Sequence, residues 1–371
     1  MTGNSIRLGK ILGVEVKIDY SWFLIFALLT WSLASMEYPS ALRGLSSAEY
    51  WGMALATAVL FFSSVLAHEL AHSRVSMANG VPVHDITLFV FGGAAQISEE
   101  PRRARDEFWM ALVGPLMSLA LAFTFGVLGF VLRASPPGLV AIWLMRVNLI
   151  LAVFNLIPGF PLDGGRVFRS ILWAWTRNLV LATRIATMVG QLVAYAFIFF
   201  GAYQALTGSL FNGLWIAFIG WFLNNAATAS YRQLTLREML KGHTVKEVMT
   251  VECAHVPPNL TLDVLVDQMV LPMGRRCFPV AVDGHVQGLV TIHSIKEVPR
   301  DRWKETRTQE AMIPWANLRS VGPEDALSDV LERMVAEDVN QFVVMVGDEW
   351  QGMIARDNLL AFIRTRSELG F

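Results

Sequence analysis

Long apolar stretches are the feature that most constrains how this chain can fold. A helix needs about 20 mostly apolar residues to cross a bilayer. Six stretches in the first part of the chain come close to that length or exceed it. They are residues 20–36, 50–77, 108–132, 139–157, 179–206 and 210–231. The predicted fold class is therefore a polytopic α-helical membrane protein with six transmembrane helices.

Basic residues in the connecting segments predict the orientation of these spans. Arginine and lysine occur before the first span, between the second and third, after the fourth and after the sixth. The alternate segments hold only Arg43, Arg133 and, at 207–209, no basic residue. Because basic loops stay in the cytoplasm, this alternation places both termini there. Residues 1–19 do not look like a cleavable signal peptide, so we expect the first span to remain as an anchor.

The distribution of charge divides the chain into two parts. Residues 1–235 hold 15 basic and 11 acidic side chains (net +4), and residues 236–371 hold 15 and 20 (net -5). The total of -1 excludes nucleic-acid binding driven by bulk positive charge, and two cysteines exclude a disulfide scaffold. We predict a membrane domain at 1–232, a linker at 233–246 and a soluble domain at 247–371.

The second predicted span contains His68, Glu69 and His72. Histidines four residues apart lie on one face of a helix, so both imidazoles can bind one metal ion. A glutamate beside the first histidine can activate a metal-bound water. Ionisable groups inside an apolar helix are costly unless they have a function. The alternative is that neighbouring helices satisfy these polar residues, or that they line a pore.

A candidate for the third ligand follows the fourth span. Pro158 and Pro161 stop a helix, and Gly164 and Gly165 allow unusual backbone angles. Asp163 is therefore predicted on a turn at the cytoplasmic edge of the membrane, at the depth of the two histidines. Since a catalytic zinc ion usually has three protein ligands, we favour a ligand over a capping aspartate at an interfacial turn.

The two motifs together resemble those of the site-2 protease family of intramembrane zinc metalloproteases, over residues 1–232. The resemblance implies that His68, His72 and Asp163 hold one zinc ion and that Glu69 is the general base and acid. It also implies that Asn155 positions the substrate or the oxyanion. The implied activity is hydrolysis of a peptide bond in or next to a transmembrane segment, in a prokaryotic cell membrane.

Residues 81–100 predict a small membrane-associated β-hairpin or sheet between the second and third spans. Residues 83–91 begin with polar alternation and become apolar, and 94–97 return after a pair of glycines. A strand edge here could receive an unwound substrate by β-augmentation. The alternative is a simple connecting hairpin. His84 is predicted to be structural, because the expected ligand set is complete without it.

An internal repeat with an offset of about 64 residues organises the second part of the chain. Residues 262–270 match 327–335 as amphipathic helices, and 278–282 match 342–346 as buried strands. The pattern resembles a tandem pair of cystathionine-β-synthase (CBS) motifs, with repeats at about 247–305 and 308–366. The predicted fold of this part is a cytoplasmic α/β CBS-pair domain.

The CBS resemblance implies a regulatory role and an adenine nucleotide, such as ATP or AMP, as a possible ligand. Thr291 is the candidate nucleotide-binding residue. Nucleotide-binding repeats place an aspartate three residues later, whereas this chain has Ser294 there and Asn358 in the second repeat. The alternative is a dimerising or substrate-docking module with no ligand. Cys253 and Cys277 are predicted to be free cytoplasmic thiols.

Two other functions fit the same residues. One is a CBS-regulated transporter or channel that uses the histidines and the glutamate as a cation path. The other is an inactive relative that binds membrane partners without cutting them. The partners we expect are a membrane-protein substrate, the lipid bilayer and a second copy of the chain through the CBS pair. No nucleic-acid partner is expected.

Overall fold

The computed structural model describes residues 5–90, 92–97, 101, 103–133, 135–251, 254–274, 277–282, 285–347 and 349–369. The chain forms two compact units, one up to Gln233 and one from Leu234 onwards. Cys253 lies outside the described residues, whereas Cys277 is described and is buried.

The N-terminal unit is mainly helical. Within the described residues, four helices are long and apolar enough to cross a membrane. They are α3 (Ser47–Ala78), α4 (Ala104–Val131), α5 (Pro136–Asn155) and α7 (Leu179–Leu206). The remaining helices are α1 (Tyr20–Ser32), α2 (Tyr38–Ala41), α6 (Asp163–Thr176) and α8 (Leu210–Leu240). Four of the six predicted spans therefore lie on helices that are long and apolar enough to cross a membrane.

The first and sixth predicted spans are also helical, but they are not among these four. α1 has 13 residues, and a π-helical turn at Leu33–Glu37 follows it directly. α8 is one continuous helix of 31 residues, so residues 233–240 of the predicted linker are helical. That these two segments cross the membrane stays a prediction.

A four-stranded sheet accompanies the helices, in the order β1-β2-β3-β4. Its strands are β1 (Ser5–Ile11), β2 (Val14–Asp19), β3 (Val83–Phe89) and β4 (Gly92–Ile97). The β3–β4 pair is the hairpin predicted from the sequence, whereas the β1–β2 hairpin was not predicted. The alternation of Val14, Val16 and Ile18, all buried, was its signal. Ile18 and Leu88 pack against Val65 of α3, which places the sheet beside that helix.

The start of α3 and its buried face determine where the histidines lie. Ser46 and Glu49 form a capping box that satisfies backbone donors at the helix start. Buried residues then recur at helical spacing along one face, from Thr57 through Val65 to His68 and His72. The two histidines thus belong to the interior face of the helix and lie in its C-terminal part.

The C-terminal unit contains two three-stranded sheets, and each includes the buried strand predicted for one of the repeats. The first has the order β5-β6-β7 and the second β10-β9-β8. Their strands are β5 (Cys277–Val282), β6 (His285–Thr291), β7 (Ile313–Pro314), β8 (Ser320–Val321), β9 (Gln341–Val346) and β10 (Glu349–Ala355). Phe278 and Val280 lie in one apolar core, and Phe342 and Val344 in the other.

Six α-helices accompany these two sheets in the described part of the unit. They are α9 (Leu262–Leu265), α10 (Leu271–Met273), α11 (Ile292–Lys296), α12 (Thr308–Ala311), α13 (Leu327–Ala336) and α14 (Arg356–Leu369). The helix predicted at 262–270 is interrupted by a π-helical segment at Val266–Val270, whereas its counterpart α13 is continuous.

Candidate metal centre

The three predicted metal ligands come together in the N-terminal unit. His68 and His72 lie one turn apart on α3 and are 4% and 5% exposed. Asp163 was predicted on the turn after α5, but it is the first residue of α6, directly after that turn. One ligand atom from each residue lies within 4.8 Å of the other two. The fold therefore brings together residues that are more than 90 positions apart in sequence.

The distances in this cluster suit a zinc ion. Nε2 of His68 and Nε2 of His72 lie 3.1 and 3.2 Å from Oδ2 of Asp163, and 3.1 Å from each other. Zinc bonds of 2.0–2.2 Å in a tetrahedral site put ligand atoms about 3.3–3.6 Å apart. The three atoms thus form a triangle of nearly the size that one zinc ion requires.

The outer nitrogens of the imidazoles are also bound. Nδ1 of His72 lies 2.5 Å from the carbonyl oxygen of Met110, which can only accept, so Nδ1 carries the proton and donates it. Nδ1 of His68 lies 2.9 Å from the hydroxyl of Ser118. With the proton on Nδ1, the Nε2 lone pair of His72 faces the Asp163 carboxylate. Such an arrangement of acceptors favours a cation between them, and partners of this kind orient metal-binding histidines.

Helix α4 leaves room for the ion because it has a glycine at the point of closest approach. A Cβ atom on Gly114 would lie 2.1 Å from Nε2 of His72 and 2.7 Å from Nε2 of His68. Any side chain at this position would occupy the space between the ligands. The donor set, its spacing and this cradle all fit a zinc ion.

Glu69 lies beside the cluster, under the edge strand of the sheet. A Cβ atom on Gly93 of β4 would lie 2.4 Å from Cγ and 3.1 Å from Oε1 of Glu69. The glycine therefore allows the backbone of β4 to pass directly over the carboxyl group. β4 is the last strand in the sheet order, so among the described residues the strand over Glu69 pairs with β3 alone.

The turn that leads to Asp163 is packed against α7. The backbone N–H of Phe160 donates to the carbonyl of Ala186 over 3.3 Å. A Cβ atom on Gly190 would lie 2.2 Å from the carbonyl oxygen of Phe160, so only glycine allows this approach. The contacts with α7 therefore hold the turn in place. The start of α6 depends on this packing as well as on the two prolines of the turn, Pro158 and Pro161.

The other predicted site residues lie elsewhere. Asn155 is the half-buried last residue of α5, at the start of the turn that leads to Asp163. His84 is exposed on β3 and is not in the metal-binding group. Thr291 is buried at the start of α11, and its hydroxyl accepts the backbone N–H of Ser294 over 3.0 Å. Asn358 makes a similar contact, since its Oδ1 accepts the N–H of Ala355.

Sequence reasoning did not identify the residues that support the ligands. Ser118 and Gly114 lie on α4, and their roles depend on how α4 packs against α3. Glu107 was not singled out, and Arg169 was interpreted only as one of the basic residues after the fourth span. These two are buried and form an ion pair.

Two known protein families match parts of this chain. The family model of peptidase family M50 matches residues 56–138 and 134–201. The family model of the CBS domain matches residues 245–301. The first match contains both histidines, and the second contains Asp163. The CBS match covers the first of the two repeats.

Relatives resemble nearly the whole chain. A Mycobacterium tuberculosis protein named "Putative zinc metalloprotease Rip3" is 36% identical over 89% of this chain and 85% of its own length. A Synechocystis protein named "Putative zinc metalloprotease sll0528" is 32% identical over 98% and 96%. The solved site-2 protease from Methanocaldococcus jannaschii is 26% identical, with a TM-score of 0.42, and covers 61% of this chain and 94% of its own.

The protein is an integral membrane protein by its four apolar helices and by its relatives. The chain belongs to peptidase family M50, the site-2 protease family of membrane metalloproteases, and carries a CBS domain after its membrane unit.

Proposed function

We propose that this protein is an intramembrane zinc endopeptidase that hydrolyses a peptide bond in or next to a transmembrane segment of another membrane protein. The observation that carries the proposal is the cluster of His68, His72 and Asp163, with Glu69 beside it. His68 and His72 lie on a helix that is apolar enough to span a membrane. The bond to be cut is therefore expected at or within the bilayer.

The residues at the site have separate roles in the proposed reaction. The chemistry supplied by a bound zinc ion is the acidification of water and the polarisation of a carbonyl group. Glu69 takes the proton from the attacking water and later gives it to the leaving amine. Asn155, at the end of α5, is proposed to position the substrate or to donate a hydrogen bond to the developing oxyanion.

The substrate must be extended where it is cut, because a helix shields its own carbonyl groups. β4 offers a place for an extended segment, since in the described part of the sheet it has one neighbour and it passes over Glu69. We propose that the substrate adds to β4 as a further strand by β-augmentation. Its backbone would then run beside the carboxyl group that moves the proton.

The CBS unit is proposed to regulate this activity. An adenine nucleotide such as ATP or AMP is the ligand class implied by the resemblance, with Thr291 as its contact, and a second copy of the chain is a further partner. The buried hydroxyl of Thr291 already accepts a backbone N–H, so a nucleotide would use its remaining proton. No carboxylate stands at the two positions expected to hold the ribose, which are Ser294 and Asn358.

The proposed topology follows the positions of basic residues. Six crossings, with both termini and the CBS pair in the cytoplasm, agree with the alternation of arginine and lysine along the chain. The proposed location is a prokaryotic cell membrane. Substrates would then be cut near the cytoplasmic face, where water reaches the site.

The protease proposal is tested with the purified full chain in lipid vesicles, loaded with zinc and mixed with single-pass membrane proteins. We expect Glu69→Gln to lower cleavage by about 10²–10⁴-fold and to keep its zinc, because a general acid–base contributes that much. Glu37→Gln, which changes an exposed carboxylate of the same unit, is the matched control. A zinc-loaded Glu69→Gln protein that cleaves like wild type would contradict the proposal.

The nucleotide proposal is tested on the full chain by thermal unfolding with ATP and with AMP. A ligand that binds the folded state raises the unfolding midpoint, and we expect Thr291→Val to reduce that rise. Ser320→Ala, at an exposed position of the second repeat, is the control. If neither nucleotide moves the midpoint of the wild-type protein, the CBS pair acts without a nucleotide.

A further inference from the structure

A buried ion pair lies near the metal centre. Glu107 is in the first turn of α4 and is 0% exposed, and Arg169 of α6 is 5% exposed. Nε of Arg169 donates to Oε1 of Glu107 over 2.6 Å, and Nη2 contacts the same oxygen. Both charges are therefore out of solvent and bound to each other.

The ion pair has further contacts on the other side of Arg169. Nη1 of Arg169 lies 3.5 Å from the hydroxyl of Thr183 on α7. The guanidinium carbon lies 5.0 Å from the centre of the Phe160 ring, in the turn that precedes Asp163. Arg169 thus joins α4, α7 and this turn at one point.

Stability alone is a weak reason to bury such a pair. Removing two charges from water has a large cost, and well-packed apolar residues of similar size often serve as well or better. A buried pair does fix two elements in one geometry, because its hydrogen bonds are directional. The question is which geometry this pair fixes.

The two elements it joins carry the two sides of the metal centre. Three residues after Glu107, α4 presents the carbonyl of Met110, which binds His72, and farther on it presents Ser118, which binds His68. Six residues before Arg169, α6 begins with Asp163. The pair therefore connects the helix that orients the histidines to the helix that presents the carboxylate.

We propose that the Glu107–Arg169 pair positions Asp163 against His68 and His72, so that the metal centre has its full ligand set only when the pair is formed. The inference rests on the proposed function, because it takes the cluster to be a zinc site. Both residues are positioning residues, since they act through Asp163 and through the contacts of α4.

The test replaces the pair with apolar residues in the full chain, as Glu107→Leu with Arg169→Met. Zinc affinity is measured by competition with a chelator, and the visible spectrum is recorded with cobalt(II) in place of zinc. We expect zinc to bind about 10–100-fold more weakly, as when other outer partners of metal ligands are removed. We also expect a changed cobalt spectrum, because the position of Asp163 sets the ligand geometry. The unfolding midpoint should stay near that of wild type.

The control removes an exposed ion pair of the same unit, as Arg7→Gln with Glu15→Gln. This variant should bind zinc and cobalt as wild type does. A Glu107→Leu, Arg169→Met protein with wild-type zinc affinity and cobalt spectrum would overturn the inference alone. A wild-type protein that binds no zinc would overturn the proposed function together with it.

A second variant serves if the apolar replacement does not fold. Arg169→Lys keeps a cation next to Glu107 but loses the planar fork that binds two helices at once. We expect a loss of zinc affinity of about two- to tenfold, smaller than that of the double replacement. An unchanged affinity and cobalt spectrum in a folded Arg169→Lys protein would also overturn the inference.

Discussion

The two units differ in what they bury. Among the described residues of the C-terminal unit, the buried polar side chains are hydroxyl groups. They belong to Thr291, Ser294, Thr306 and Thr308. The described part of the N-terminal unit buries two histidines, an arginine and two carboxylates. They are His68, His72, Arg169, Asp85 and Glu107.

The part of the sequence with more charged residues is the one whose described interior holds none of them. The C-terminal part holds more ionisable side chains in fewer residues, yet its described interior is apolar apart from hydroxyls. The N-terminal part holds fewer, and several of them are inside. Each of these interior charges has a partner, as Asp85 has in Lys17 at 3.1 Å. Because burying a charge is costly, such interior charges need partners of this kind.

The largest effect expected from this comparison is that of Gly114→Ala. The added Cβ atom would enter the space between Nε2 of His72 and Nε2 of His68, so we expect zinc binding and cleavage to be abolished. Metal analysis of the purified variant measures this. Gly126→Ala on the same helix is the control, because its Cβ meets only the flexible side chain of Met145, at 3.2 Å and beyond. A zinc-loaded Gly114→Ala protein would show that α4 is farther from the ligands.

A change in the core of the C-terminal unit is expected to lower the stability of that unit and to leave zinc binding as it is. Phe342 is fully buried, and we expect Phe342→Ala to lower the free energy of unfolding of this unit by about 3–5 kcal/mol. Zinc affinity should not change, because the core around Phe342 is apolar and belongs to the other unit. Denaturant unfolding and metal analysis check the two statements. Val346→Ala, at an exposed position of the same strand, should have little effect. A loss of zinc in Phe342→Ala would contradict the separation of roles.

A smaller effect is expected where a polar partner of a ligand is removed. Ser118→Ala deletes the hydroxyl that contacts Nδ1 of His68, and we expect zinc affinity to fall about 10–100-fold. Chelator competition measures the change. Thr124→Ala removes a hydroxyl from an exposed position of α4 and should leave the affinity as it is. Equal affinities in the two variants would mean that the orientation of His68 does not depend on Ser118.

The smallest effect concerns an exposed carboxylate of the C-terminal unit. A hydrogen bond with His243, helped by the backbone N–H of Thr244, holds the pKa of Glu247 below its ordinary value of 4.5. The stability that this adds is present above pH 4.5 and is lost as the pH falls through the lower pKa of the folded state. Glu247→Gln should flatten that part of the curve of unfolding midpoint against pH. The exposed Glu305→Gln is the control, and the two curves must differ for the prediction to hold.

Much of the site could be predicted from the sequence because its ligands follow local rules. A helical spacing of four places His68 and His72 on one face, whatever the rest of the chain does. The prolines before Asp163 end α5 at the right place. The supporting residues could not be found in this way. Ser118, Gly114 and Glu107 belong to a third helix, and nothing in their local sequence indicates which face of α4 meets α3.

The same distinction applies to the fold. The length of the apolar stretches predicts the long helices, and the internal repeat predicts the two buried strands of the C-terminal unit. The structure has helices and strands in these places. The N-terminal hairpin was not predicted because β1 is exposed along its whole length, although the alternation of buried residues in β2 was a signal for it. The pairing of β2 with β3 is a separate, long-range contact. A parallel pairing between strands so distant in sequence has no local signal.

The sequence by itself determined the chemical types and their order: a helix with two histidines and a glutamate, an aspartate after a proline-containing turn, and a C-terminal part with an internal repeat. These depend on residue identity and short-range geometry, which a single chain segment contains. The tertiary structure decided that three atoms from two distant segments lie about 3 Å apart. It also decided that α4 leaves room for them at Gly114 and that a buried ion pair joins the two sides. Such distances arise from the packing of whole helices, which local sequence does not specify.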